Sequence, residues 1–205
     1  MKRYSFFVDF DDTIVPTKHL VAQYLSNKYN VPVETKDLTD NNGFNKTILD
    51  KGVTVGYNEV YLDFGKNFFP NFGIKDFIFY PGAKDAIERL SEIYNLYIVT
   101  SRQEEEKENL KNILKFNNVL ECFQDIHCVW KWGNNHFVED SKTSFMKRQE
   151  GTNIGFLDDS LAEIKSALKM SIIYPVLFDP YHAHKGEGFG YDICSSWEKV
   201  KKTFS

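Results

Sequence analysis

The sequence predicts an α/β fold, in which a parallel central sheet is covered by helices on both faces and interrupted by a mostly helical insert. Short apolar runs at 5–8, 96–99, 126–129, 154–157 and 172–178 read as buried strands. Amphipathic stretches separate the later runs, and strands alternating with helices argue for a parallel sheet. Residues 16–78 break the alternation: they carry helical periodicity and an unusual share of aromatic residues.

Each element has a local reason. Ser5–Val8 is continuous and apolar, as a strand buried on both faces requires. Pro16 and Thr17 suit a helix start, and Asn30 before Val31-Pro32 suits its end. Asn45 to Lys51 reads as a short helix stopped at Gly52. Tyr57, Val60, Tyr61, Phe64 and Phe68 recur at helical spacing over 57–69. The texture changes at Tyr80-Pro81-Gly82, after which Ala86, Ile87, Leu90 and Ile93 mark one face of a helix. Leu96–Val99 is a strand ending at Thr100-Ser101, and Gln103–Phe116 a charged helix whose first turn holds Glu104, Glu105 and Glu106. Ile126–Val129 is a strand, followed by a looser stretch and a helix over 141–149. Ile154–Leu157 ends at Asp158-Asp159, a helix covers 160–169, and 172–178 is the last apolar strand. Three glycines within 186–190 read as a loop.

Composition narrows the function. With 42% hydrophobic residues in 205, the chain can bury a full core. A formal charge of −4 gives no support for a nucleic-acid polymer or a polybasic membrane contact as partner. Cys122, Cys128 and Cys194 lack metal-ligand spacing and read as reduced, buried thiols. No apolar run is long enough to span a bilayer, so the expectation is a cytoplasmic protein.

In parallel sheets, ligands bind at the carboxyl ends of the strands. Asp9 and Asp11, Thr100, and Asp158 with Asp159 each follow the end of a separate apolar run. Adjacent strands would bring them to one rim. Crowded acids need a cation or a proton between them. A donor set of oxygens alone suits a hard divalent cation such as Mg²⁺, with Asp9 and Asp158 as ligands and Asp159 in support. Residues i and i+2 of a strand share a face. Asp9 and Asp11 can therefore address one substrate, one carboxylate as nucleophile and the other as proton donor and acceptor. A hydroxyl at Thr100 and a lysine would hold the oxygens of a transferring phosphoryl group.

These residues resemble the haloacid dehalogenase (HAD) superfamily of phosphohydrolases. Asp9-Phe10-Asp11-Asp12-Thr13 matches its first motif, D-x-D-x-T. Ile98-Val99-Thr100-Ser101 resembles the second, and Ile154-Gly155-Phe156-Leu157-Asp158-Asp159 the fourth. The resemblance implies a HAD-like Rossmannoid three-layer sandwich, with 1–15 and 79–205 as catalytic core and 16–78 as helical cap. Such a cap closes over the site, excludes water and selects the substrate.

The resemblance also implies roles. Asp9 would become an aspartyl-phosphate and bind Mg²⁺. Asp11 would be the general acid/base, with its backbone carbonyl on the metal. Thr100 and Ser101 would bind phosphate, and Asp158 and Asp159 would hold the metal. Asp12 stands where the family often has Gly and reads as a turn residue. Lys142 is the choice for the third-motif lysine, with Lys147 and Arg148 as alternatives. Dehalogenases lack an acid at the position of Asp11, so Asp11 points to phosphate chemistry.

The expected activity is Mg²⁺-dependent hydrolysis of a small phosphorylated metabolite or nucleotide. A phosphomutase or phosphotransferase, or a catalytically silent binding member, is the alternative. Thr100-Ser101-Arg102, the 176–181 stretch and Trp197-Glu198 are loosely similar to small deoxyribonucleotidases. The aromatic residues of 44–72 could stack on a base, although at helical spacing they read first as core. The natural substrate and the oligomeric state are not readable.

Overall fold

The structure is a computed structural model, which describes residues 4–38, 43–56, 59–68, 71–133, 136–149, 153–170, 174–184 and 190–205. The chain divides into two compact units: Met1–Val15 with Phe79–Ser205, and Pro16–Ile78.

The first unit is built on a seven-stranded sheet in the order β4-β3-β2-β1-β5-β6-β7. The strands are β1 (Ser5–Val8), β2 (Asn95–Gln103), β3 (Phe123–Gly133), β4 (His136–Glu139), β5 (Asn153–Asp158), β6 (Tyr174–Phe178) and β7 (Asp192–Cys194). All neighbours are parallel except β3 and β4. Central β1 is fully buried, which explains its apolar run from Phe6 to Val8.

Successive β1 residues face opposite helical layers. Phe7 joins Val99, Phe156 and Leu177 against α6 (Lys142–Arg148) and α7 (Leu161–Ala167), which contribute Phe145, Met146 and Ile164. Phe6 faces the other layer, meeting the rings of Tyr94 and of Phe204 on α8 (Trp197–Phe204). α4 (Ala83–Ile93) packs beside α8 and buries Ala83, Ala86, Ile87 and Leu90. α5 (Lys107–Phe116) buries Leu110, Ile113 and Leu114. Gly155 on β5 is required by close approach: a Cβ there would lie 2.3 Å from Cε2 of Phe6.

Several elements differ from the sequence reading. β2 continues through Gln103, and Glu104–Glu106 form a separate 3-10 turn before α5 begins at Lys107. Glu106 is not a purely solvated acid: burial pushes its carboxyl up, with the Arg102 charge opposing. The stretch after Val129 is an antiparallel hairpin, with Trp130 opposite Glu139 and Trp132 opposite Phe137. An antiparallel edge needs only a tight turn, so no crossover helix announces it. β7 is three residues long, too short to leave a period. α8 is capped by Ser196, whose side chain accepts from the Lys199 N–H. Residues 186–189 of the glycine-rich stretch lie outside the described residues.

The second unit contains α1 (Thr17–Tyr29), α2 (Phe44–Asp50) and α3 (Glu59–Asn67). α1 ends where Asn30 takes a left-handed conformation, φ 51°. Phe68 packs edge-on against Tyr24 and Phe77, and Phe72 against Phe77. These rings serve one another as core. Asp63 ties α1 to α3, accepting from Tyr24 Oη, from Lys28 Nζ at 2.9 Å and from Asn67 Nδ2 at 2.9 Å. Tyr57 and Phe69, and the side chains of Tyr61 and Phe64, lie outside the described residues. No helix among the described residues is long and apolar enough to cross a membrane.

Candidate active site

Register places the acids. Val8 pairs with Ile98 on β2 and with Leu157 on β5. The residues that follow each of these three therefore emerge at one edge of the sheet. The Asp9 N–H donates to the Leu157 carbonyl at 2.9 Å, extending the ladder one step. Asp9 shares the face of Phe7, which is the face covered by α6.

Beyond Asp9 the chain turns tightly. The Ile14 and Val15 N–H groups donate to the Phe10 carbonyl at 2.9 and 3.1 Å, and the Asp12 N–H donates to Val15 at 2.6 Å. Asp12 sits at φ 56°, a conformation Asp tolerates better than most residues. The Tyr80 N–H donates to the Ile14 carbonyl at 2.9 Å, and Trp197 Nε1 to the Thr13 carbonyl at 2.8 Å. The turn is thus fixed from two sides.

Lys142 is the first residue of α6, and the Ser141 side chain caps that helix by accepting from the Ser144 N–H. Its Nζ lies 2.7 Å from Asp9 Oδ1 and 2.7 Å from Asp158 Oδ2, with all three side chains buried. Asp159 completes the group: carboxylate oxygens of Asp9, Asp158 and Asp159 lie within 4.8 Å of one another. The Ser160 N–H donates to Asp158 Oδ1 at 2.8 Å.

The electrostatics follow from one cation facing three acids. Burial pushes Asp9 well above the carboxylate range; Lys142 lowers it, and Asp158, Asp159 and Asp11 raise it further. Asp158 is also raised, first by burial, with Lys142 opposing and Asp159 adding. Lys142 itself is driven up, because the attraction of two acids outweighs its own burial. A single ammonium cannot neutralise this cluster. An all-oxygen set, with Asp9 and Asp158 buried and Asp159 partly exposed, that is short of positive charge fits a hard divalent cation.

The other expected residues are placed as follows. Thr100 is fully buried near the end of β2, and its hydroxyl has no hydrogen-bond partner among the described residues. Ser101 is exposed. Asp11 does not join the Lys142 cluster. It accepts two hydrogen bonds from Arg102, at 2.7 Å from Nε and 2.6 Å from Nη2. Of the lysine alternatives, Lys147 is exposed and Arg148 pairs with Asp140.

Arg102 is the functional candidate that sequence reasoning missed. Its signal was a cation two residues past a strand-end threonine, which gains meaning only once β2 is known to continue to Gln103.

No family model matches the sequence, and no curated protein matches it. The fold does have close counterparts among solved structures. YfnB of Bacillus subtilis, assigned as a HAD hydrolase and solved bound to magnesium, aligns over 100% of both chains at 17% identity and TM-score 0.67. A protein of Lactobacillus plantarum assigned as a phosphoglycolate phosphatase aligns over 100% of both chains at 12% identity and TM-score 0.69. One from Thermotoga maritima assigned as a β-phosphoglucomutase covers 98% of this chain and 97% of its own, at 14% identity and TM-score 0.62. At such identities the likeness speaks for architecture. The chain has the fold of the HAD-superfamily hydrolases and phosphatases.

Proposed function

We propose that the chain is a Mg²⁺-dependent phosphohydrolase that acts on a small phosphomonoester through an aspartyl-phosphate. The observation that carries this reading is the buried Asp9–Lys142–Asp158 arrangement with Asp159 alongside, drawn from three separate segments to one strand-end rim.

Asp9 attacks phosphorus, and the bond from phosphorus to the ester oxygen breaks. Asp11 gives its proton to that departing oxygen. Asp11 then takes a proton from water, which attacks the phosphoryl group and releases phosphate, restoring Asp9. Lys142 holds Asp9 in place and offsets the negative charge of the transferring group. The Thr100 hydroxyl, buried without a protein partner, is available to a phosphoryl oxygen. Asp9, Asp158 and Asp159 would hold Mg²⁺, with the Asp11 carbonyl in support, and the ion would supply Lewis-acid stabilisation of phosphoryl charge.

Residues 16–78 are assigned as the cap that selects the substrate. A nucleotide is one candidate substrate, and the reaction takes place in the cytoplasm. A phosphomutase is the second reading, favoured by the Thermotoga maritima counterpart. One experiment separates them: a panel of nucleotides and sugar phosphates assayed with Mg²⁺ and with EDTA. The proposal expects metal-dependent release of inorganic phosphate. Phosphate transfer to a second site on a sugar, without net release, would establish the mutase instead.

A further inference from the structure

Arg102 is 8% exposed, yet it lies beside a rim that ligands must reach. Its guanidinium stands over the Phe10 ring, 5.3 Å from the centroid, and two of its nitrogens bond the two oxygens of Asp11. A planar fork meeting a carboxylate on two parallel bonds fixes both the position and the plane of that carboxylate. Asp11 needs such a hold. It lies past the last ladder pair of β1, and its side chain is 30% exposed.

Arg102 sits on β2, two residues beyond Thr100. The fork therefore ties the orientation of Asp11 to the strand that carries Thr100. Two groups required at one reacting centre are set in mutual register by a third, buried one. Effective catalysis depends on such supports, because small misplacements of a reacting group cost large factors in rate.

We infer that Arg102 is a positioning residue for the phosphoryl-transfer reaction, acting through Asp11 to aim its carboxylate at the leaving oxygen and at the attacking water. This inference rests on the function proposed above. It differs from two simpler roles. A guanidinium that bound a substrate anion directly would govern KM. One that only filled the core would govern stability.

The test measures kcat, KM and Tm for wild type, R102K and R102A, with and without millimolar guanidinium ion, and repeats the guanidinium series in R102A/D11N. The Asp9→Asn variant serves as control: full activity there overturns the parent reading, whatever Arg102 does. With Asp9 shown essential, the inference expects kcat of R102A to fall about 100-fold with KM within about threefold. R102K, which keeps a donor and the charge, should fall between. Guanidinium ion should raise kcat of R102A by about tenfold or more and leave R102A/D11N unchanged. Unchanged kcat in both variants overturns the inference, as does a rise in KM at constant kcat. Equal guanidinium response with and without Asp11 also overturns it. Should R102A fail to fold, R102K alone decides, since wild-type kcat in that variant contradicts a requirement for the two-pronged hold.

Discussion

The ammonium of Lys142 lies 2.7 Å from the carboxylate of Asp9, although 133 residues separate them in the chain. That pair brings α6 and the end of β1 to one point, and Asp158 closes the triangle from β5. The site depends on this arrangement both for charge balance and for geometry.

Replacing Lys142 tests both. Lys142→Met keeps length and apolar bulk but leaves buried acids without their cation. Breaking a buried pair from one side costs about 3–5 kcal/mol. Denaturant unfolding in EDTA should show a loss of that order, with part recovered by Mg²⁺. Phosphatase kcat should fall by about 10²–10³-fold. Unchanged stability would show that the Lys142 ammonium does not hold the acids.

The acids give stability a pH dependence in the absence of divalent cations. Asp158 is raised to about 6, chiefly by burial, and Asp9 is raised too. Between the ordinary carboxylate range and that value, the folded chain holds protons that the unfolded chain has released. Stability therefore falls as pH rises through this window, by up to about 1.4 kcal/mol per pH unit for each group. In EDTA, wild type should lose stability between pH 4 and pH 6 relative to Asp158→Asn, which cannot titrate there. Parallel profiles would contradict the burial argument. Adding Mg²⁺ at pH 7 should raise Tm.

Thr100 separates activity from stability. Its hydroxyl is buried and unpaired among the described residues, so Thr100→Val removes a polar atom that the fold does not use. The variant should be as stable as wild type, or more so. Its activity should drop by about tenfold or more, as expected when a donor to the transferring group is lost. A destabilised but fully active variant would reverse that assignment.

Gly155→Ala probes the sheet itself. The new Cβ would overlap the Phe6 ring, whose atoms are fixed between Tyr94 and Phe204. Overpacking of this kind costs about 1–3 kcal/mol. The double variant G155A/F6L should regain part of that loss, measured by denaturant midpoint. Additive losses would place the clash elsewhere.

The parallel sheet and its acid-bearing rim were legible because each strand there is a continuous apolar run with an abrupt polar end. Asp9, Asp11 and Asp158 could be named from their places at strand ends, and Lys142 from the resemblance to the family's third motif. The Asp11–Arg102 pair could not, because a strand's true end is invisible when polar Ser101 and Arg102 continue it. The β3–β4 hairpin hid for a related reason: Trp130-Lys131-Trp132 alternates as an edge strand does, but Gly133 and two asparagines follow and read as loop. β7 and α8 carry too few residues to set up a period. Ser101 was named with Thr100, yet only Thr100 is buried, since adjacent strand residues point to opposite faces.

The most direct test looks for phosphate on Asp9. Wild type and Asp11→Asn, mixed with a labelled phosphomonoester and Mg²⁺, are quenched in acid within the first turnover and mapped by peptide. The account predicts label on the peptide carrying Asp9, accumulating further in Asp11→Asn and absent from Asp9→Asn. Full turnover with no label on Asp9, or label on another residue, would contradict it.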